Sequence, residues 1–76
     1  MTAFHSPRAA ARLARLAEAE RLLRLVGHES LPPLPEIAAA AGFADATAMD
    51  RAFRRVRRTT SYEFWLRQRG ARRDVA

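Results

Sequence analysis

Apolar side chains recur along this chain at three- and four-residue steps, the period of one face of a helix. In residues 8–26 the stripe is Leu16, Ala19, Leu23 and Val26, widened by Leu22, with Arg12, Arg15 and Glu18 toward the other side. Alanine, leucine, arginine and glutamate dominate this stretch, and all are good helix formers. Ser6 has the chemistry of a cap, and Pro7 suits a first turn, where its missing N–H costs nothing. Gly27 suits the stop, since glycine readily takes the left-handed conformation that follows a helix. The pattern predicts a first helix over residues 8–26.

Pro32 and Pro33 keep that helix from continuing, so residues 27–33 read as a connector. Leu34, Ile37, Ala38 and Ala41 then stand at i, i+3, i+4 and i+7, which predicts a short second helix from Leu34 or Pro35. Its run of four alanines lets another helix approach closely, and it also simply favours the helical state. Gly42 ends this helix and turns the chain. Phe43 is expected in the core beneath the turn, and Asp45 has the chemistry of an N-cap. Short helix, tight glycine turn, second helix is the helix-turn-helix arrangement.

The third helix, residues 46–57, is the most informative. Met49, Ala52, Phe53 and Val56 share one face and must point into the core. At about 100° per residue, Thr47, Arg51, Arg54 and Arg58 point nearly opposite, flanked by Asp50, Arg55 and Arg57. Residues 51–58 hold five arginines and no acid. An apolar stripe backed by an arginine ridge fits an anionic surface, and an α-helix fits the DNA major groove. The plainer alternative is a solvated face, on which uncompensated arginines repel one another.

A fourth helix is expected from Thr60 or Ser61 to about residue 69, with Glu63 in its first turn. Tyr62, Trp65 and Leu66 share a side, with Phe64 nearby, and are expected to close the core over the second and third helices. Stacking of these aromatics on single-stranded bases is the competing role. Residues 1–7 and the basic tail 70–76 are expected to be disordered, leaving one all-α domain over residues 8–69.

Composition sharpens this picture. All fourteen cations are arginine; they face eight acids, for a formal net charge of +6. So basic a domain points to a polyanionic partner: nucleic acid, an acidic protein or an anionic membrane. With 76 residues the chain makes one domain with a small core. It has no cysteine, which removes disulfides, thiolate chemistry and Cys-based zinc sites and is compatible with a reducing cytosol; a cytoplasmic location is expected. His5 and His28 form no ligand set with a carboxylate, so no metal is expected. No apolar run approaches the roughly 20 residues of a membrane span. Three arginines and no acid in residues 1–17 imitate a transit peptide, but Glu18, Glu20 and the leucine face continue as a structural helix does. No nucleophile–base pair or Gly-rich phosphate loop is present, so neither enzymatic activity nor a cofactor is expected; Ser61, Tyr62 and Glu63 read as a helix cap and its neighbours.

Three stretches together carry a family resemblance. Arg15 to Leu23 (RLAEAERLL) resembles the helix that joins the two helix-turn-helix units of AraC/XylS-type transcriptional regulators. Pro35 to Asp45 (PEIAAAAGFAD) resembles the turn of the second unit, and Ala46 to Arg55 (ATAMDRAFRR) its recognition helix. The likeness spans about residues 15–67 and rests on Ile37-Ala38, Gly42-Phe43, Arg51 and Phe53 at matching spacing. Three positions depart from it: Arg58 stands for a glycine, Ser61 for a proline and Trp65 for an arginine.

The resemblance implies double-stranded DNA as the partner and transcriptional regulation as the role. It places Ala46, Thr47, Asp50 and Arg51 against bases. Arg51 is the best reader, since a guanidinium grips a guanine edge with two hydrogen bonds. Asp50 is expected to accept from cytosine or to steady Arg51. Arg54, Arg55 and Arg58 are expected to clamp phosphates, while Arg67, Arg69, Arg72 and Arg73 add general attraction. Only the second of the family's two units is present, which implies a half-domain, a fragment, or a reduced relative that pairs with itself or with another regulator.

One recognition helix offers few base contacts, each good pair contributing about 1–3 kcal/mol of discrimination. Specific sites generally require about 4–10 kcal/mol over nonspecific DNA, so a single copy is expected to discriminate modestly. A dimer spacing two such helices about 34 Å apart removes the shortfall. Leu13, Leu16 and Leu23, near heptad spacing, are candidates for that dimer surface or for the internal core. A protein-interaction module that binds an acidic partner or another regulator is the alternative function. A membrane-surface peptide is the third, marked by helicity only with lipid.

Overall fold

A computed structural model describes residues 6–75, with side chains through residue 69. Four helices and no strand occur among these residues: α1 (Pro7–Leu25), α2 (Leu34–Ala41), α3 (Ala46–Arg57) and α4 (Ser61–Val75). The chain is a small all-α domain, and its helix starts follow the cap chemistry. The Ser6 hydroxyl accepts from the Ala9 N–H at 3.1 Å, with Pro7 in the first turn. Asp45 accepts from the Ala48 N–H at 2.8 Å. Before α4, the Thr60 hydroxyl accepts from the Glu63 N–H at 3.0 Å, and the Glu63 carboxylate accepts from the Thr60 N–H at 3.0 Å. That reciprocal pair is a capping box. The Thr60 N–H, and after it the Thr59 hydroxyl, holds the Glu63 carboxyl below the ordinary glutamate range.

The ends depart from expectation in two places. α1 stops at Leu25, and the chain leaves through an extended Val26 rather than a left-handed Gly27. The Trp65 indole N–H donates to the Val26 carbonyl at 3.3 Å, so an orphan carbonyl of the helix end is met by a side chain from α4. α4 runs through Gly70 to Val75 instead of stopping near residue 69. A glycine inside a helix costs only about 1 kcal/mol relative to alanine, which good helix formers on both sides offset. The stretch expected to be disordered at the amino end overlaps α1 at Pro7; residues 1–5 lie outside the described residues, as does residue 76.

Leu16, Leu23, Ala38, Met49 and Phe53 are fully buried, joined by Ile37, Phe43 and Trp65. α1 is the central strut, packing against α2, α3 and α4. Burial of Leu16 and Leu23 removes both from any dimer surface and leaves only Leu13 of that set partly exposed. Of the expected aromatic cluster, Trp65 is buried, Phe64 half-buried and Tyr62 exposed. α4 covers α1 and α3, where the sequence reading had it over the second and third helices. His28 makes the difference: its ring stacks on Trp65 at 4.4 Å and its Nε2 donates to the Trp65 carbonyl at 2.8 Å, fastening α4 to the connector after α1.

Candidate nucleic-acid interface

α3 is held rigidly on its inner side. Met49, Ala52 and Phe53 are buried, and Val56 packs against the same core. Gly42, at φ 98°, makes the turn that sets α3 against α2, and Phe43 follows it into the core. The positive φ strains any side chain here, and a β-carbon at Gly42 would lie 3.1 Å from Cδ of Arg15, so the arginine stem would have to shift by a few tenths of an ångström.

The outer side carries the residues assigned from the sequence. Thr47, Arg51, Arg54, Arg55 and Arg58 are exposed, and Ala46 is half-buried at the amino end of the helix. Thr47, Arg51 and Arg54 therefore form a continuous outward ridge. Arg58 caps the carboxyl end of α3 at φ 59° and ψ 31°, and its N–H donates to the Arg54 carbonyl at 3.2 Å. This is the left-handed region, which L-residues enter at a cost.

Two polar residues of α3 are engaged by other helices. Asp50 turns toward α4, and its Oδ1 accepts from the Ser61 N–H at 3.0 Å and the Ser61 hydroxyl at 2.5 Å. That contact explains an acid on so basic a helix: it satisfies a buried hydroxyl and an orphan N–H at the start of α4. Arg57 reaches back to α1, where its Nε and Nη2 donate to the two Glu20 carboxylate oxygens at 2.8 and 3.3 Å. Of the five arginines in residues 51–58, this one is a structural brace.

Spacing along α3 alone did not find the cleft between α1 and α3. It has a volume of about 210 Å³, with Arg12 and Arg15 on one wall and Arg51 and Arg55 on the other. Phe43 and two alanines form its apolar floor. The Arg15 guanidinium lies over the Phe43 ring, 5.7 Å from its centroid, within the range of a cation–π contact. Arg12 and Arg15 are half-buried, whereas Arg51 and Arg55 are exposed. A basic pair one turn apart on the polar flank of the first helix was the available signal.

Nearby acids do not neutralise this cleft. Glu18 pairs with Arg21, whose side chain donates at 2.9 and 2.6 Å and holds the Glu18 carboxyl below its ordinary range. Glu20 pairs with Arg57, Asp50 with Ser61, and Asp45 with the amino end of α3. None of Arg12, Arg15, Arg51 and Arg55 has an ion pair among the described residues. Nor do the described residues contain a cluster of three potential metal ligands or a helix long and apolar enough to cross a membrane. Compared with known proteins, the chain matches no family model, no curated protein and no solved structure.

Proposed function

We propose that this domain binds double-stranded DNA through α3, acting in transcriptional regulation as a helix-turn-helix module of the kind that AraC/XylS-type regulators carry. The observation that carries the reading is the outer surface of α3: exposed Thr47, Arg51, Arg54, Arg55 and Arg58 on a helix whose opposite face is locked in the core. A cationic helix of twelve residues, anchored on one face and exposed on the other, suits a major groove. Arg51 and Thr47 are the base readers, with Ala46 making a small apolar contact. Arg54, Arg55 and Arg58 fix the helix on the backbone without reading sequence. Asp50, engaged by Ser61, supports the interface from behind rather than contributing a base contact.

Fluorescence-anisotropy titration of random duplex DNA across a salt series tests this reading, on protein of known oligomeric state. Three phosphate clamps predict a slope of log affinity against log salt of roughly −3. Absence of duplex binding at low salt would defeat it and favour the alternative, an arginine face that docks on an acidic protein.

A further inference from the structure

The α1–α3 cleft has the makings of an anion site in its own right. Four arginines from two helices line it, and among the described residues no acid does. The acids of α1 and α3 are each committed to another partner, so no described side chain pairs with these four cations. Arg15 is also positioned in advance. Its stem lies close over Gly42 and its guanidinium over Phe43, so the turn that defines the fold also aims this side chain. Ordering a long cationic side chain before a ligand arrives reduces the entropy lost on binding.

We propose that this cleft is a phosphate seat, formed by Arg12 and Arg15 together with Arg51 and Arg55, and that the group it takes is a backbone phosphate of the duplex on which α3 lies. The source of the phosphate rests on the DNA-binding reading above; the site itself does not. Guanidinium pairs from two walls match the oxygens of a phosphate, which one helix alone cannot surround. α1 thereby becomes a second wall of the interface, and Arg51 is shared between a base edge and the seat. That sharing couples the register of α3 to the position of one phosphate.

The test compares three proteins of full length. The first is wild type. The second is Arg12→Gln/Arg15→Met, in which methionine keeps an apolar stem over Gly42 and Phe43. The third is Arg67→Gln/Arg69→Gln, which removes the same charge from α4, a helix that does not line the cleft. Far-UV circular dichroism establishes that all three are folded, and Arg12→Gln alone replaces the double variant if that one is not. Duplex affinity is then measured against salt. The cleft variant is expected to lose at least tenfold more affinity than the α4 variant, with a salt slope shallower by about one, the change for one lost phosphate contact. Equal losses in the two variants overturn the proposal.

If wild type binds no duplex, the DNA reading falls while the seat stays open to test with inorganic pyrophosphate. At matched ionic strength, a melting temperature raised in wild type but not in the cleft variant supports the seat with a free phosphorylated molecule as its source. Equal responses to pyrophosphate overturn it.

Discussion

Arg58→Gly should make this domain more stable and a poorer DNA binder at once. Arg58 sits at φ 59° and ψ 31°. For an L-residue that conformation costs about 1–2 kcal/mol. Glycine removes the cost but brings a more flexible unfolded chain, worth about 0.4–1 kcal/mol in the opposite sense. The net gain is about 0.5–1 kcal/mol, since the exposed Arg58 side chain has no ion pair to lose among the described residues. For a domain of this size that raises Tm by about 2–8 °C. Thermal unfolding followed by far-UV circular dichroism reads the change, beside Arg58→Ala. Alanine keeps the strained backbone and loses the cation, so it should show no stability gain but the same loss of duplex affinity. A glycine variant that melts at or below wild type refutes the strain argument. Unchanged duplex affinity in both variants refutes the clamp assignment and leaves the strain without a functional reason.

Other substitutions probe the remaining layers. Phe53→Ala empties the centre of the core at a cost of about 3–5 kcal/mol, enough to unfold a domain this small, and a variant as heat-stable as wild type contradicts the packing described. Asp50→Ala strips the acceptor from the buried Ser61 hydroxyl and should cost about 1–3 kcal/mol in denaturant melts, whereas Asp50→Asn, which keeps a carbonyl oxygen, should cost less. Arg51→Ala should flatten sequence preference in a site selection without unfolding the domain, while Arg54→Ala should weaken all duplexes alike; preference unchanged by the first removes Arg51 as a base reader. Glu63 contributes stability through a carboxyl held below its ordinary range, so that contribution is complete above the unfolded glutamate pKa and disappears as pH falls through the lower, folded one. Glu63→Gln should therefore flatten the acid side of the stability–pH profile, and an unaltered profile counts against the capping box as its cause.

What could be read from the chain follows the range of each interaction. Caps and turns are local, and Ser6, Asp45, Thr60 and Gly42 act where three- or four-residue patterns place them. The stripe Met49, Ala52, Phe53 on α3 is equally legible, because one apolar face of a helix has only one place to go. Contacts that join distant segments were not visible. Arg57 and Glu20 meet across 37 positions, and the indole of Trp65 meets Val26 across 39. Arg12 and Arg15 read as a solvated flank until the register of α1 against α3 is known. The bond between Asp50 and Ser61 was equally hidden, because helical periodicity gives the direction of a side chain but not what the next helix brings to it. The fourth helix was expected to end near residue 69 because a glycine inside a helix and a glycine after one are the same letter, and the balance between them is about 1 kcal/mol.

The central claim is that α3 is the surface laid on DNA. Amide chemical-shift mapping of the isotopically labelled chain during titration with a duplex tests it most directly. Perturbation should concentrate on residues 46–58 and on α1 around Arg12 and Arg15, with the connector at residues 27–33 unaffected. Shifts confined to α4 and the connector, or none at all at low salt, would contradict it.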